Sequence, residues 1–260
     1  REQVMQRHGI DFSDVVGLLA HLGADCPGSI SCVPVGGEPA KMPGDLETDY
    51  VSLAEEDLRR IMVSLRNFRR VPDDTNDPSP LAGVQGKIAL ARRPDGSFAL
   101  PRPGLNVPTT HILKVPRAGE MTTVDQEHLL MGIMAEVQRH PVARTEVIGE
   151  GDLRGLLVER FDRLVKGNSV RRLHQEDFAQ ALGLGPQLKY ERNGTAERRF
   201  NADAIRKVLD QTATPGPSRQ AFLEITLANL LLGNTDNHAK NHALLYRSPR
   251  PDFAPVYDVA

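Results

Sequence analysis

The segment from Asp236 to Asn241 contains residue types that could organise the transfer of a phosphoryl group. It places a carboxylate and a carboxamide with four residues between them, and a second carboxylate follows at Asp258. Phosphoryl transfer requires that an attacking hydroxyl, a phosphate and metal ions are held at fixed points. In this pattern Asp236 orients the hydroxyl, while Asn241 and Asp258 offer hard oxygen ligands to Mg²⁺. The spacing therefore predicts a loop for phosphoryl transfer with ATP as the donor.

Two other interpretations fit the same residues. Asp236, His238 and His242 are candidate ligands of a transition metal, because the two histidines share a face if the segment is helical. Gly233 and Asn234, however, are typical of a helix end, which favours a loop at this point. A solvated turn after a helix would also contain such polar residues. The spacing alone does not separate these interpretations.

Lys114 favours phosphoryl transfer because it lies in an otherwise apolar predicted strand. The strand runs from His111 to Val115, and an unpaired ammonium group there would be costly. Kinases use a strand lysine at this stage of the chain to contact ATP phosphates, and a glutamate of a helix pairs with it. Glu127, in the next predicted helix, is the candidate partner. The alternative is an edge-strand lysine whose ammonium group reaches solvent.

A glycine-containing segment precedes the first predicted hairpin. Residues 81–87 read LAGVQGK, and the two glycines allow backbone N–H groups to approach a phosphate closely. The segment matches neither the Walker A pattern nor the glycine-rich loop of protein kinases. By itself it predicts only a turn.

The rest of the pattern predicts a β-rich segment followed by a mainly helical one. A helix is expected from Leu53 to Leu65, and a polar, proline-rich linker follows at 71–80. Next come a hairpin at 87–100, a strand at 110–115, a helix at 124–138 that buries Leu130, Ile133, Met134 and Val137, and strands at 144–149 and 154–160. Helices are then expected at about 175–182, 202–213 and 218–233, before a hairpin at 243–257.

This layout predicts an α+β, bilobal, kinase-like fold with an ATP cleft between a small β-rich N-lobe and a mainly helical C-lobe. Residues 1–75 are interpreted as the end of an N-terminal subdomain, 76–160 as the N-lobe and 161–260 as the C-lobe with the catalytic loop. The chain begins at Arg1 and stops two residues after Asp258. Because a metal ligand rarely lies so near a free terminus, we expect further sequence on both sides.

The composition is that of a soluble globular protein. Hydrophobic residues make up 40% and charged residues 25%, and the formal net charge is -2. No apolar run is long enough to span a bilayer, and the start does not resemble a signal peptide. Cys26 and Cys32 have no second pair with which to complete a zinc site, so we expect both thiols to be incidental and the protein to be cytoplasmic.

Several short motifs occur in a fixed order along the chain. They are LAGVQGK at 81–87, PTTHILK at 108–114, VERFDR at 158–163, HQED at 174–177, GNTDNHAKN at 233–241 and VYDV at 256–259. Together they resemble the HipA family, bacterial serine/threonine kinases that act as toxins of toxin–antitoxin modules. The resemblance is collinear from about residue 20, where DCPG at 25–28 is also similar to the family's N-terminal part.

The resemblance implies roles for individual residues. Lys114 corresponds to the lysine that contacts the ATP phosphates, and Asp236 to the catalytic aspartate. Asn241 and Asp258 correspond to the ligands of Mg²⁺. Nucleotide contacts are implied for a further set: Ala82, Gly83, Val84, Gln85, Glu159, Phe161, Gln175, His238 and Tyr257.

One position departs from the family pattern. The family often has a serine directly before the residue that corresponds to Leu81, and its autophosphorylation ejects the phosphate loop. Pro80 occupies that position here and has no hydroxyl. Ser79 is adjacent, but a shift of one residue in an extended chain turns the side chain to the other face. Ser29 and Ser31 are further candidate acceptors.

The resemblance implies an ATP- and Mg²⁺-dependent protein kinase toxin that phosphorylates a translation component such as an aminoacyl-tRNA synthetase and arrests growth. The expected partner is a helix-turn-helix, HipB-like antitoxin. Contact with DNA is expected only through that partner, because a net charge of -2 gives little affinity for phosphates. No membrane association is expected. Two alternatives stay open: a catalytically silent co-repressor that binds the antitoxin, and a small-molecule kinase.

Overall fold

The computed structural model describes residues 9–11, 13–22, 28–38, 41–75, 85–120 and 122–260. These residues divide into two units. The first contains the described residues up to Gly119 and Gly149–Arg172, and the second contains Glu120–Ile148 and Leu173–Ala260. The predicted domain limits after residues 75 and 160 stay a prediction. Several predicted residues lie outside the described residues: Cys26, Ser79, Pro80, Ala82, Gly83 and Val84.

The first unit is built mainly of strands. Its elements are α1 (Val15–Leu22), β1 (Gly44–Asp45), β2 (Tyr50–Ser52), α2 (Glu55–Phe68), β3 (Gly86–Arg92), β4 (Phe98–Pro101), β5 (His111–Val115), β7 (Leu153–Glu159), β8 (Arg163–Lys166) and β9 (Ser169–Arg172). The boundary between the units falls within β6 (Thr145–Glu150). The hairpin of β8 and β9 was not predicted from the sequence.

An antiparallel sheet in this unit places β5 in an interior position. The strand order is β2-β4-β3-β5-β7, with β6 at the edge beyond β7. Lys114 lies opposite Lys87 of β3 and Leu156 of β7. The interpretation of Lys114 as an edge-strand lysine is therefore wrong. Lys114 is only 9% exposed, so little of its surface reaches solvent.

Local sequence signals explain the elements next to this sheet. Helix α2 carries three acidic residues in its first turn, where they interact favourably with the helix dipole, and it buries Ile61, Met62 and Leu65. It is capped at Arg69, which has a left-handed conformation and whose N–H bonds the carbonyl of Leu65. The β3–β4 turn places Gly96 at φ 88, a conformation that glycine adopts without strain.

The second unit is mainly helical. Its elements are α3 (Thr122–Val137), β10 (His174–Asp177), α4 (Phe178–Ala181), α5 (Ala202–Leu209), α6 (Pro215–Leu232), β11 (Ala243–Tyr246) and β12 (Asp252–Phe253). Short 3₁₀ helices cover Pro186–Leu188, Glu191–Asn193 and Ala239–Asn241. Strands β10, β11 and β12 form an antiparallel sheet in that order. Across the described ranges, no helix combines the length and the apolar character needed to cross a membrane.

Two expectations for the second unit were wrong in detail. Residues 174–177 form a strand and not the start of a helix, because β10 pairs with β11, a distant partner that local periodicity does not reveal. Helix α3 buries Val124, Glu127, Met131 and Met134, whereas Val137, predicted to be buried, is 60% exposed. The buried face was therefore assigned correctly only at Met134, with Leu130 and Ile133 half-buried.

We predict that Gly155→Ala destabilises the protein, because Gly155 lies where β7 approaches β5. A Cβ atom there would lie 2.7 Å from Cδ1 of Leu113 and 2.9 Å from the carbonyl oxygen of Lys114. The crowding should lower the free energy of unfolding by about 1–3 kcal/mol in chemical denaturation followed by circular dichroism.

Gly132→Ala is the matched control. Gly132 is exposed within α3 and has no atom within 4 Å of an added Cβ. This substitution should stabilise the protein by up to about 1 kcal/mol. Equal stabilities for the two variants would contradict the packing described for β5 and β7.

Candidate active site

The loop that contains Asp236 begins where helix α6 ends. Gly233 adopts φ 74 and closes the helix. The next residue, Asn234, is held by Asn229 of the last helical turns: its N–H bonds the Asn229 carbonyl at 2.9 Å, and its side-chain nitrogen bonds Oδ1 of Asn229 at 3.0 Å. Oδ1 of Asn234 in turn accepts from the N–H of Asp236 at 3.0 Å. The buried asparagine pair therefore fixes the backbone at Asp236.

The carboxylate of Asp236 is accessible although its backbone is fixed. The side chain is 61% exposed, while the backbone oxygen accepts from Nδ2 of Asn241 at 2.7 Å. The hydroxyl of Tyr190 donates to Oδ1 of Asp236. Nε2 of His238 lies 3.8 Å from the same oxygen, too far for a hydrogen bond. An ordered but accessible carboxylate is what is needed to orient an incoming hydroxyl.

Asn241 and Asp258, the predicted metal ligands, are adjacent in this unit. Besides its bond to Asp236, Nδ2 of Asn241 donates to the backbone oxygen of Asp258 at 3.4 Å. The amide nitrogen is thus used by two carbonyl groups, and the amide oxygen takes part in neither bond. Asp258 has φ 60, a left-handed conformation that is uncommon for a residue other than glycine. Such outliers concentrate at functional sites.

His238 is buried in the same loop, with one ring nitrogen unpaired. Its Nδ1 has no hydrogen-bond partner among the described residues. Burial lowers the pKa of His238, and the nearby charge of Lys189 lowers it further, so the ring is neutral at pH 7. A buried nitrogen without a partner is costly unless a ligand bonds to it. The neutral ring could accept from or donate to such a ligand, depending on its tautomer.

His242 has a structural role. It is buried beside the ring of Phe222, with the ring centroids 4.7 Å apart, and burial lowers its pKa to about 3. Its Nε2 forms a 2.7 Å hydrogen bond with Oδ1 of Asn237. The interpretation of Asp236, His238 and His242 as transition-metal ligands therefore has no geometric support. Among the described residues, no group of three or more His, Cys, Asp or Glu side chains is arranged to hold a metal ion.

Lys240 and Tyr257 fix the second half of the loop. Nζ of Lys240 lies 2.7 Å from Oδ2 of Asp177, and the hydroxyl of Tyr257 donates to the backbone oxygen of Lys240 at 2.8 Å. Asp177 also caps α4 through the N–H of Gln180. The charge of Lys240 is thus paired with Asp177 within the second unit. Gln175 lies nearby in the chain, in β10, opposite Leu245 of β11.

The remaining predicted residues lie in the first unit. Lys114 is in the interior strand β5, Glu159 ends β7 opposite His111, and Gln85 is half-buried directly before β3.

Phe161 follows β7 in a segment ordered by charge pairs. There Oδ2 of Asp162 lies 2.9 Å from Arg160 and 2.7 Å from Arg163, and these cations hold the pKa of Asp162 below its usual range in spite of burial. These three charged residues are therefore paired with one another within the first unit.

The sequence did not point to Tyr190 or Asn229, and it marked Asn234 as part of a helix end and a motif but not as a support of Asp236. Asn229 lies in an apolar helix, and only its burial and its bond to Asn234 reveal its role. Tyr190 is distant in sequence from Asp236.

Comparison with known proteins identifies the family. The family model described as the HipA-like C-terminal domain matches residues 79–260. This chain belongs to the HipA family. It is 33% identical over 98% of its length to a Sinorhizobium fredii protein named "Putative kinase Y4mE". It is 30% identical over 99% of its length to the serine/threonine-protein kinase toxin HipA of Shewanella oneidensis.

A solved structure supports the fold. The chain is similar, with a TM-score of 0.77 and 26% identity over its full length, to HipA in the complex of Shewanella oneidensis HipA, HipB and operator DNA. The predicted α+β, kinase-like fold of HipA type is therefore confirmed. The chain spans 59% of each of the two curated relatives and 60% of the chain in the solved complex.

We predict that Asn234→Ala destabilises the second unit of this HipA-family chain. The substitution removes the acceptor for the N–H of Asp236 and leaves the buried amide of Asn229 without its partner. The expected cost is about 1–3 kcal/mol, measured as a lower free energy of unfolding in urea. Thr235→Ala, at the exposed neighbouring position, should leave stability unchanged. A loss of similar size in both variants would show that Asn234 has no special role.

Proposed function

We propose that this chain is part of an ATP- and Mg²⁺-dependent protein serine/threonine kinase of HipA type. The arrangement around Asp236 supports the proposal most directly. An accessible carboxylate lies on a loop whose backbone is fixed by Asn234 and Asn241. The names of the relatives, which include a serine/threonine-protein kinase toxin, support the same reaction class. The geometry around Asp236 and the position of each residue in the motifs support the roles proposed for individual residues.

The donor set at Asn241 and Asp258 fits Mg²⁺. Both side chains offer the hard oxygen ligands that this ion prefers. The nitrogen of the Asn241 amide is occupied by the carbonyls of Asp236 and Asp258, so its oxygen is the atom left for a metal. Nδ1 of His238, which has no hydrogen-bond partner in the described part of the chain, is a further buried polar atom in the same loop. Bound Mg²⁺ would supply neutralisation of phosphate charge.

In the proposed mechanism Asp236 accepts a hydrogen bond from the acceptor hydroxyl and directs its oxygen at the γ-phosphate of ATP. The oxygen–phosphorus bond forms as the bond to the ADP leaving group breaks, and the hydroxyl proton passes to the carboxylate of Asp236. Lys114 contributes a charge that contacts the donor phosphates. Glu159 and Phe161 are proposed to contact the adenine base through their backbone. Gln175, Gln85, His238 and Tyr257 are proposed as further nucleotide contacts. Ala82, Gly83 and Val84 are also proposed to contact the nucleotide.

The proposed biological role is that of a toxin in a toxin–antitoxin module. The related Shewanella oneidensis HipA has been solved with HipB and operator DNA, which supports a HipB-like helix-turn-helix antitoxin as the partner of this chain. DNA contact would then be made through the antitoxin. The proposed substrate is a translation component such as an aminoacyl-tRNA synthetase, acted on in the cytoplasm.

We predict that Asp236→Asn lowers phosphoryl transfer by about 10²–10⁴-fold while ATP binding is retained, because the variant keeps the shape of the side chain but loses the charge that orients the hydroxyl. Full-length protein and the variant are incubated with Mg-ATP and a cell lysate. Phosphopeptides are then identified by mass spectrometry.

Asp73→Asn is the matched control, since Asp73 is exposed in the first unit and lies outside all the proposed motifs. Phosphopeptides that appear with the parent and with Asp73→Asn, but not with Asp236→Asn, support the kinase and name its substrate. A small metabolite phosphorylated in place of protein would redirect the assignment to a small-molecule kinase. If all three proteins bind ATP but give the same phosphopeptides, the kinase assignment would be rejected and an antitoxin-binding co-repressor would be favoured.

A further inference from the structure

Tyr190 is attached to the loop of Asp236 through three kinds of contact. It lies between the 3₁₀ helices Pro186–Leu188 and Glu191–Asn193, and its hydroxyl donates to Oδ1 of Asp236. Its ring meets that of His238 edge-on, with centroids 5.1 Å apart. The carbonyl directly before it, that of Lys189, accepts from the N–H of Ala239 at 3.0 Å. The segment and the loop are therefore joined by side chain and by backbone.

Asp236 needs such a contact because its other bonds fix only its backbone. The N–H and the backbone oxygen are held by Asn234 and Asn241, but neither bond restricts the side-chain torsions. A carboxylate that is 61% exposed would otherwise sample several rotamers. Among the described residues, Tyr190 is the side chain that gives the Asp236 carboxylate a hydrogen bond. His238, at 3.8 Å, is too distant to do so.

The ring of Tyr190 is itself held in place. Nζ of Lys189 lies 4.8 Å from its centroid and Cζ of Arg192 lies 4.5 Å from it, both within the range of cation–π attraction. With the backbone of the segment bonded to Ala239, these contacts restrict where the hydroxyl can point. A hydroxyl fixed in this way can in turn fix the carboxylate that accepts its hydrogen bond.

We propose that Tyr190 is a positioning residue for phosphoryl transfer, whose hydroxyl holds one carboxylate oxygen of Asp236 so that the other faces the acceptor hydroxyl. This inference rests on the proposed function. A carboxylate has enough lone pairs to accept from Tyr190 and from an acceptor at the same time. Tyr190 forms no bond to the transferred group, and it supplies orientation and not a proton.

Tyr190→Phe tests this role, because it removes one oxygen atom and retains the ring and its cation–π contacts. In full-length protein with Mg-ATP and the substrate found in the lysate experiment, kcat should fall about tenfold. KM for ATP and the melting temperature should be unchanged, since the hydroxyl is exposed and does not support the core.

Tyr246→Phe is the matched control, because its hydroxyl also donates to a carboxylate, Oε2 of Glu176, at 2.6 Å. This variant should retain the parent kcat. An unchanged kcat in Tyr190→Phe overturns the proposal, since Asp236 would then be oriented without the hydroxyl. A raised kcat also overturns it, because Tyr190 would then be occupying the place of the acceptor.

A second measurement does not depend on activity. The hydrogen bond to Asp236 raises the pKa of Tyr190 above its ordinary value. The chain has four tyrosines, so the ring carbons next to the hydroxyls can be titrated individually by NMR and assigned with the Tyr190→Phe variant. In Asp236→Asn, where the partner is neutral, the pKa of Tyr190 should move back towards its ordinary value.

The two measurements separate the possible failures. A pKa of Tyr190 that depends on Asp236, in a protein that transfers no phosphate to any substrate, rejects the proposed function and the positioning role with it. An active parent enzyme in which the pKa of Tyr190 is independent of Asp236 rejects the positioning role alone.

Discussion

The carboxamide of Asn241 is the contact on which the geometry of the loop depends. Its nitrogen bonds the backbone oxygens of Asp236, at the start of the loop, and of Asp258, in the segment after β12. One buried side chain thus sets the distance between two parts of the chain that are far apart in sequence. Because the nitrogen is committed to two carbonyls, the orientation of the amide is fixed, and so is the direction of its oxygen.

The surrounding contacts leave the Asp236 carboxylate as the accessible charge of the loop. Asn234 is bonded to Asn229, Asn237 to His242, and Lys240 to Asp177. Each of these loop side chains forms a hydrogen bond within the second unit. These bonds restrict the motion of the loop, since breaking one leaves a part-buried polar group without that partner. The fold therefore limits the motion of the loop and keeps one carboxylate available for chemistry.

The sequence predicted the features that depend on short-range patterns. The spacing of Asp236 and Asn241, the helix end at Gly233 and the strand around Lys114 were all apparent, because turn chemistry and alternation are local. The interior position of that strand in the sheet was not apparent from the sequence, because it depends on which strands become neighbours in the fold. Strand β10 was missed for the same reason: its partner β11 lies far along the chain.

The residues that support Asp236 also could not be identified from the sequence. Tyr190 is 46 residues from Asp236, and no periodic pattern links the two. Asn229 could be recognised only when its burial and its bond to Asn234 were known. The buried face of α3 was misassigned because the helix is apolar on more than one side, so that Val137 is as hydrophobic as the residues that pack. In such a helix, tertiary packing decides which side is covered.

The bond between His242 and Asn237 ties the mobility of the loop to that of the apolar core. His242 packs among Phe178, Phe222 and Phe253, and its ring cannot leave without opening this aromatic cluster. Surface loops usually open locally at little cost in free energy, independently of the protein's core. Here a side chain of the loop is hydrogen-bonded to one of a set of packed rings. Opening this part of the loop therefore breaks a part-buried hydrogen bond to a ring of the core, which raises the free energy of local opening.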